Sequence, residues 1–122
     1  MWDQVLAQGV HYASAGVVGF YGMPGRGRDG SPGPIDRVSQ FECPVLGLMA
    51  GADGWITADH VQAFDGALTS AGVSHELVTY PGAPHSFFDR TYEEHAEASA
   101  DAWRRILAFV RQIHAGKTAT PA

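Results

Sequence analysis

One cysteine, Cys43, stands in 122 residues, so no intramolecular disulfide can staple the chain, and a reducing compartment is the simpler setting. Basic residues are scarce: 8 Lys and Arg against 13 Asp and Glu leave a net charge of −5. That balance gives no electrostatic reason to approach a phosphate backbone or an anionic bilayer, so neither nucleic acid nor membrane is expected as a partner. No run of about 18 apolar residues occurs, and the opening Met1-Trp2-Asp3-Gln4-Val5 lacks the basic-then-apolar layout of a signal peptide. A cytoplasmic chain is expected. Internal repeats are absent. Charged residues amount to 17% while hydrophobic residues reach 45%, a composition that forms a core and excludes disorder for most of the length. The length allows one small domain, expected over residues 1–116 with a flexible tail at 117–122.

Three apolar stretches read as strands: Ala15 to Tyr21, Pro44 to Ala50 and His75 to Tyr80. The first two scarcely alternate between apolar and polar, as strands buried on both faces of a parallel sheet do. Between the second and third, Val61, Phe64, Leu68 and Ala71 recur at helical spacing after Thr57, a candidate N-cap, and before Gly72, a candidate stop. A strand, helix, strand crossover follows. Past the third strand, Thr91 and Glu94 have capping-box spacing, and Trp103, Ile106, Leu107 and Val110 predict a long closing helix on the sheet, ended by Gly116. Residues 22–34, rich in Gly and Pro, predict a long loop, in which Arg26, Arg28 and Asp29 fit a solvated turn better than an anion site. Trp2, Val5 and Leu6 suggest a short helix that Gly9 ends.

In a parallel sheet the strands finish at one edge, and ligands bind outside their carboxyl ends. Asp53 follows the second strand and His85 the third, so this fold places an acid beside an imidazole. That pair is the orienting half of a catalytic triad: the carboxylate fixes the tautomer while the other ring nitrogen takes a proton from a nucleophile. The order acid then histidine is that of α/β-hydrolases. Trp55, beside the acid, fits a pocket lining or a packing role over the following helix. His11, His60, His75, His95 and His114 show no paired ligand spacing, so no metal site is expected and these histidines are assigned to surface or interface.

The segment Gly51-Ala52-Asp53-Gly54-Trp55-Ile56, the run Gly82-Ala83-Pro84-His85-Ser86-Phe87-Phe88, Tyr92, and the helix with Ala102-Trp103-Arg104-Arg105 and Leu107-Ala108-Phe109 resemble the C-terminal half of a dienelactone hydrolase-like α/β-hydrolase. Val17-Val18-Gly19-Phe20-Tyr21-Gly22 resembles the family strand that follows the nucleophile-bearing helix. The resemblance spans about residues 10–113. It implies a partial α/β-hydrolase fold of three parallel strands flanked by helices, with an open sheet edge. It also implies Asp53 as triad acid and His85 as triad base, hydrolysis of an ester or lactone, and no cofactor. It places Arg90 near the position of a carboxylate-binding arginine but one residue further from the histidine; Trp55, Phe87 and Arg90 are the candidate substrate contacts, while Phe87, with Phe88, Tyr92 and Trp103, fits core or pocket wall most simply. Ser86 stands where many relatives carry Gly.

The family's nucleophile sits on a Gly-x-[Cys/Ser]-x-Gly elbow between a strand and a helix. Ser14, Ser31 and Cys43 do not meet that pattern, so the nucleophile is unknown and the elbow is expected upstream of Met1. The strand at residues 15–21 would then present an open apolar edge, expected to pair with a second copy, giving a homodimer, or with a separate N-terminal half. The alternative is a non-catalytic, self-associating binding module of the same fold.

Overall fold

A computed structural model describes residues 15–27 and 29–119, with side chains of the last helix through Ala115. The expected helix around Trp2, Val5 and Leu6, together with His11, Ser14, Arg28 and residues 120–122, lies outside the described residues.

Strands β1 (Val17–Phe20), β2 (Val45–Ala50) and β3 (His75–Tyr80) form one parallel sheet in the order β1-β2-β3. All six residues of the central β2 are buried, which is why it reads as an unbroken apolar run. Side chains alternate across the sheet. Val18, Phe20, Leu46, Leu48, Ala50, Val78 and Tyr80 face one core layer; Val17, Val45 and Met49 face the other. Leu46 and Leu48 are fully buried, each contributing about 1.5–3 kcal/mol of burial. Among the described residues the sheet is open, with β1 and β3 its outer strands.

Helix α1 (Ala58–Ser70) covers the second layer with Val61, alongside buried Phe64 and Leu68. Thr57 is its N-cap. The Thr57 hydroxyl accepts from the His60 amide, and His60 Nδ1 accepts from the Thr57 amide at 3.0 Å, so a histidine fills the role usually taken by Glu or Gln. Gly72, at φ +73°, turns the chain out of the helix. Ala71, expected on the packed face, is the exposed C-cap.

Helix α2 (Ala96–Ala119) differs from expectation in start, phase and end. It begins five residues beyond Thr91, because the Thr91 hydroxyl turns back to the Phe87 carbonyl at 3.5 Å while residues 92–95 form a turn. Its packed face is Ala98, Ala102, Ile106 and Phe109; Trp103 and Val110 are half exposed. Small Ala98 and Ala102 let the helix approach the sheet more closely than Trp103 would. Gly116 does not stop it; the backbone continues through residues 117–119. A 3-10 helix over Pro34–Gln40 was not anticipated. Pro34 supplies a preset φ at its start, the Asp36 carboxylate accepts from the Gly33 amide at 3.0 Å, and the exposed Arg26 pairs with Asp36 at 3.1 Å. Among the described residues no helix is long and apolar enough to cross a membrane.

A polar cluster clamps β3 to α2. The Tyr80 hydroxyl donates to Asp101 at 2.7 Å, Arg105 Nε donates to the same carboxylate at 2.7 Å, Arg104 pairs with it, and Arg105 reaches Glu76 at 3.4 Å. Arg105, Tyr80 and the second arginine hold the Asp101 carboxyl below the usual carboxylate range. A pKa depressed in the folded state contributes stability that is complete above the unfolded value, near 4, and lost as pH falls through the folded value. Asp101→Asn is therefore expected to cost about 1 kcal/mol at pH 7 and nothing further on acidification from this group. Urea denaturation at pH 7 and pH 3 checks this: the gap between wild type and variant narrows at the lower pH.

Candidate active site

The sheet register sets the site. Ala50 lies opposite Tyr80, the last residue of each strand, so the two following loops leave side by side. Hydrogen bonding continues past the strands: the Gly51 amide donates to the Tyr80 carbonyl at 2.9 Å and the Ala52 amide to the Ala83 carbonyl at 3.0 Å. A Cβ on Gly51 would lie 2.7 Å from the Tyr80 oxygen and 2.9 Å from Pro81 Cα, so only glycine permits this approach.

Asp53 and His85, thirty-two residues apart, meet here. His85 Nδ1 donates to Asp53 Oδ2 at 2.7 Å, and the Trp55 amide donates to Asp53 Oδ1 at 2.9 Å. The carboxylate side chain is 3% exposed and the imidazole 57%. Burial pushes the Asp53 carboxyl up, but the Trp55 amide and His85 more than offset it and hold the group below its ordinary value. An ionised Asp53 fixes the proton on Nδ1 and leaves Nε2 free to accept one.

The only non-glycine residues with positive φ among the described ones lie at this site: Tyr21, at +34° directly after β1, and Ser86, at +67° directly after His85. The Tyr21 ring centroid is 5.0 Å from that of His85, and its hydroxyl donates to Asp89 Oδ1 at 2.6 Å. A cleft of about 960 Å³ opens beside the pair, lined by Phe20, Met23, Trp55, Ile56 and Phe88 with the edge of the Gly- and Pro-rich loop.

Trp55 is thus at the cleft, 58% exposed. Phe87 is fully buried in the core, packed edge-on against Tyr21 and Tyr80; its neighbour Phe88 takes the cleft wall. Arg90 is exposed, its amide donates to the Ser86 carbonyl at 2.9 Å, and it is not among the cleft-lining residues. Cys43 lies before β2, at the sheet edge opposite the pair, its thiol pushed up by burial and by Glu42. Ser31 lines the cleft, its amide donating to Asp29 at 3.0 Å. Among the described residues no hydroxyl or thiol hydrogen-bonds to His85, and no group of three or more His, Cys, Asp or Glu could hold a metal ion. His75, expected at the surface or an interface, contacts the Val73 carbonyl at 2.7 Å and Asp65 at 2.8 Å. Tyr21 and Asp89, which also line the cleft, carry no motif in the sequence; the one local signal is that Tyr21 directly follows a strand at the carboxyl edge.

The sequence profile described as the dienelactone hydrolase family matches residues 4–114. A candidate carboxymethylenebutenolidase of Yersinia pestis is 38% identical over 80 residues, 65% of this chain and 30% of that protein. One of Saccharolobus solfataricus is 35% identical over 99 residues, 80% of this chain and 35% of that protein. A crystal structure of a candidate dienelactone hydrolase from Klebsiella pneumoniae superposes with a TM-score of 0.72 at 27% identity, covering 88% of this chain and 47% of that one. The chain spans about a third of the length of these curated relatives and about half of the crystallised one.

Proposed function

The chain belongs to the dienelactone hydrolase family, and on that premise we propose that Asp53 and His85 are the acid and base of a nucleophile, histidine, acid triad that hydrolyses a carboxylic ester or lactone. The observation that carries this is the 2.7 Å contact between a buried carboxylate and an imidazole open to a cleft. In the acylation step His85 Nε2 takes the proton of a hydroxyl or thiol as that atom bonds to the substrate carbonyl carbon. The same proton then passes to the departing alkoxide, and the acyl group stays on the enzyme. In the second half His85 deprotonates water, which attacks the acyl carbon, and the nucleophile leaves with the proton. Asp53 holds the imidazole in register throughout and stabilises its charged form. This chemistry needs no cofactor.

The nucleophile and oxyanion hole belong, on this reading, to an N-terminal segment that pairs with β1. The names of the relatives favour a lactone as substrate. The test is turnover of p-nitrophenyl acetate by the chain co-expressed with the part of the Klebsiella relative that it does not cover. Turnover that falls about a thousandfold or more in His85→Ala supports the reading. A complex whose turnover is the same with and without His85 overturns it.

A further inference from the structure

We propose that Tyr21 and Asp89 act together as positioning residues for His85, fixing the plane of an imidazole that Asp53 alone holds at only one point; this rests on His85 being the catalytic base. The His85 side chain is 57% exposed, and its hydrogen bond to Asp53 anchors Nδ1 without restraining the face of the ring. The tilted Tyr21 ring, 5.0 Å away and inclined at 55°, supplies that face.

Tyr21 is itself held from three directions. Its amide donates to the Leu48 carbonyl at 2.7 Å, Phe87 packs edge-on against its ring with centroids 5.6 Å apart, and its hydroxyl donates to Asp89 at 2.6 Å. The last bond joins positions 68 apart in sequence. Asp89 belongs to the same turn as His85, closed by the Arg90 amide on the Ser86 carbonyl. The end of β1 and the histidine turn are therefore tied by one short bond next to the working imidazole. Tyr21 and Ser86, the residue after His85, carry backbone that is unfavourable for their side chains, at φ +34° and +67°, and such conformations persist where surrounding contacts over-determine them. Burial and the Asp89 carboxylate push the Tyr21 hydroxyl up to about 12, so it remains a donor at working pH.

The groups facing His85 are Asp53 from the loop after β2, Tyr21 from the end of β1, and Asp89, beside Arg90, from its own turn. The test uses the full chain with isotope-labelled histidine, and NMR reads the His85 ring signals. Tyr21→Phe and Asp89→Ala break the same bond, so each is expected to shift and broaden those signals. The double variant is expected to go no further than either single one, and Asp89→Asn, which keeps an acceptor oxygen, to restore them. In the co-expressed enzyme Tyr21→Phe is expected to lower kcat about tenfold with KM unchanged. Unmoved His85 signals in both single variants, with only the thermal midpoint lowered, would overturn the proposal and leave the bond a staple of the fold. Signals that move as expected while turnover ignores His85→Ala would uphold the positioning and remove the catalytic reading.

Discussion

Asp53→Asn is expected to reduce turnover of an activated ester about a thousandfold to ten-thousandfold in the co-expressed enzyme, with little change in stability. The size follows from which way the amide must face. Asp53 Oδ1 accepts the Trp55 amide at 2.9 Å, and that donor has no reason to release an oxygen. Asparagine therefore keeps its oxygen there and presents NH2 to His85 Nδ1, where Oδ2 now sits at 2.7 Å. Two donors cannot share that contact, so the imidazole moves its proton to Nε2, the nitrogen that must be free to accept one. The variant keeps the shape of the site and inverts its tautomer. Measuring kcat and KM separately is decisive, since KM should stay put. Turnover within tenfold of wild type would show that Asp53 does not set the tautomer in the working enzyme.

Phe87→Ala is expected to cost about 3–5 kcal/mol, a large share of the roughly 5–15 kcal/mol that holds a small domain folded. Phe87 is fully buried, with ring centroids 5.6 Å from Tyr21 and 5.4 Å from Tyr80, so truncation removes two edge-on aromatic contacts and leaves a void in the core layer between the sheet and α2. Collapse cannot refill it cheaply, because Tyr21 and Tyr80 are each pinned at the hydroxyl by Asp89 and Asp101. Chemical denaturation gives the number directly. Trp55→Ala is the contrast: a larger aromatic side chain, but 58% exposed, expected to cost under about 1 kcal/mol. Equal losses at the two positions would contradict this account of the core.

Asp53 and His85 could be found in the sequence because each directly follows an apolar strand, and parallel strands deliver their ends to one edge. Thr57 was legible for a similar reason: capping is a local hydrogen bond, and its partner lies three residues away. The phase of α2 was not. Of the expected face Trp103, Ile106, Leu107 and Val110, only Ile106 packs; it is joined by Ala102 and Phe109, and hydropathy favours Trp103 over its neighbour Ala102 although the smaller residue packs closer. Phe87 and Phe88 pose the same problem in two residues, since one enters the core and the other the cleft and nothing local says which. The 3-10 helix starts on local cues, Pro34 at its first turn and Asp36 accepting from the Gly33 amide, set in a stretch that reads as loop; the exposed Arg26 to Asp36 pair spans 10 positions and the Tyr21 to Asp89 bond 68. Neither pairing leaves a periodic trace.

The glycine at 51 carries one more consequence. Because its amide continues the β2 to β3 hydrogen bonding directly into the loop that presents Asp53, the acid is an extension of the sheet and not an appendage to it. Catalytic competence and folded structure should then share one thermal transition: on heating, the loss of the Asp53 to His85 contact and the loss of the sheet arrive together, with no temperature interval in which an intact fold carries a dismantled site.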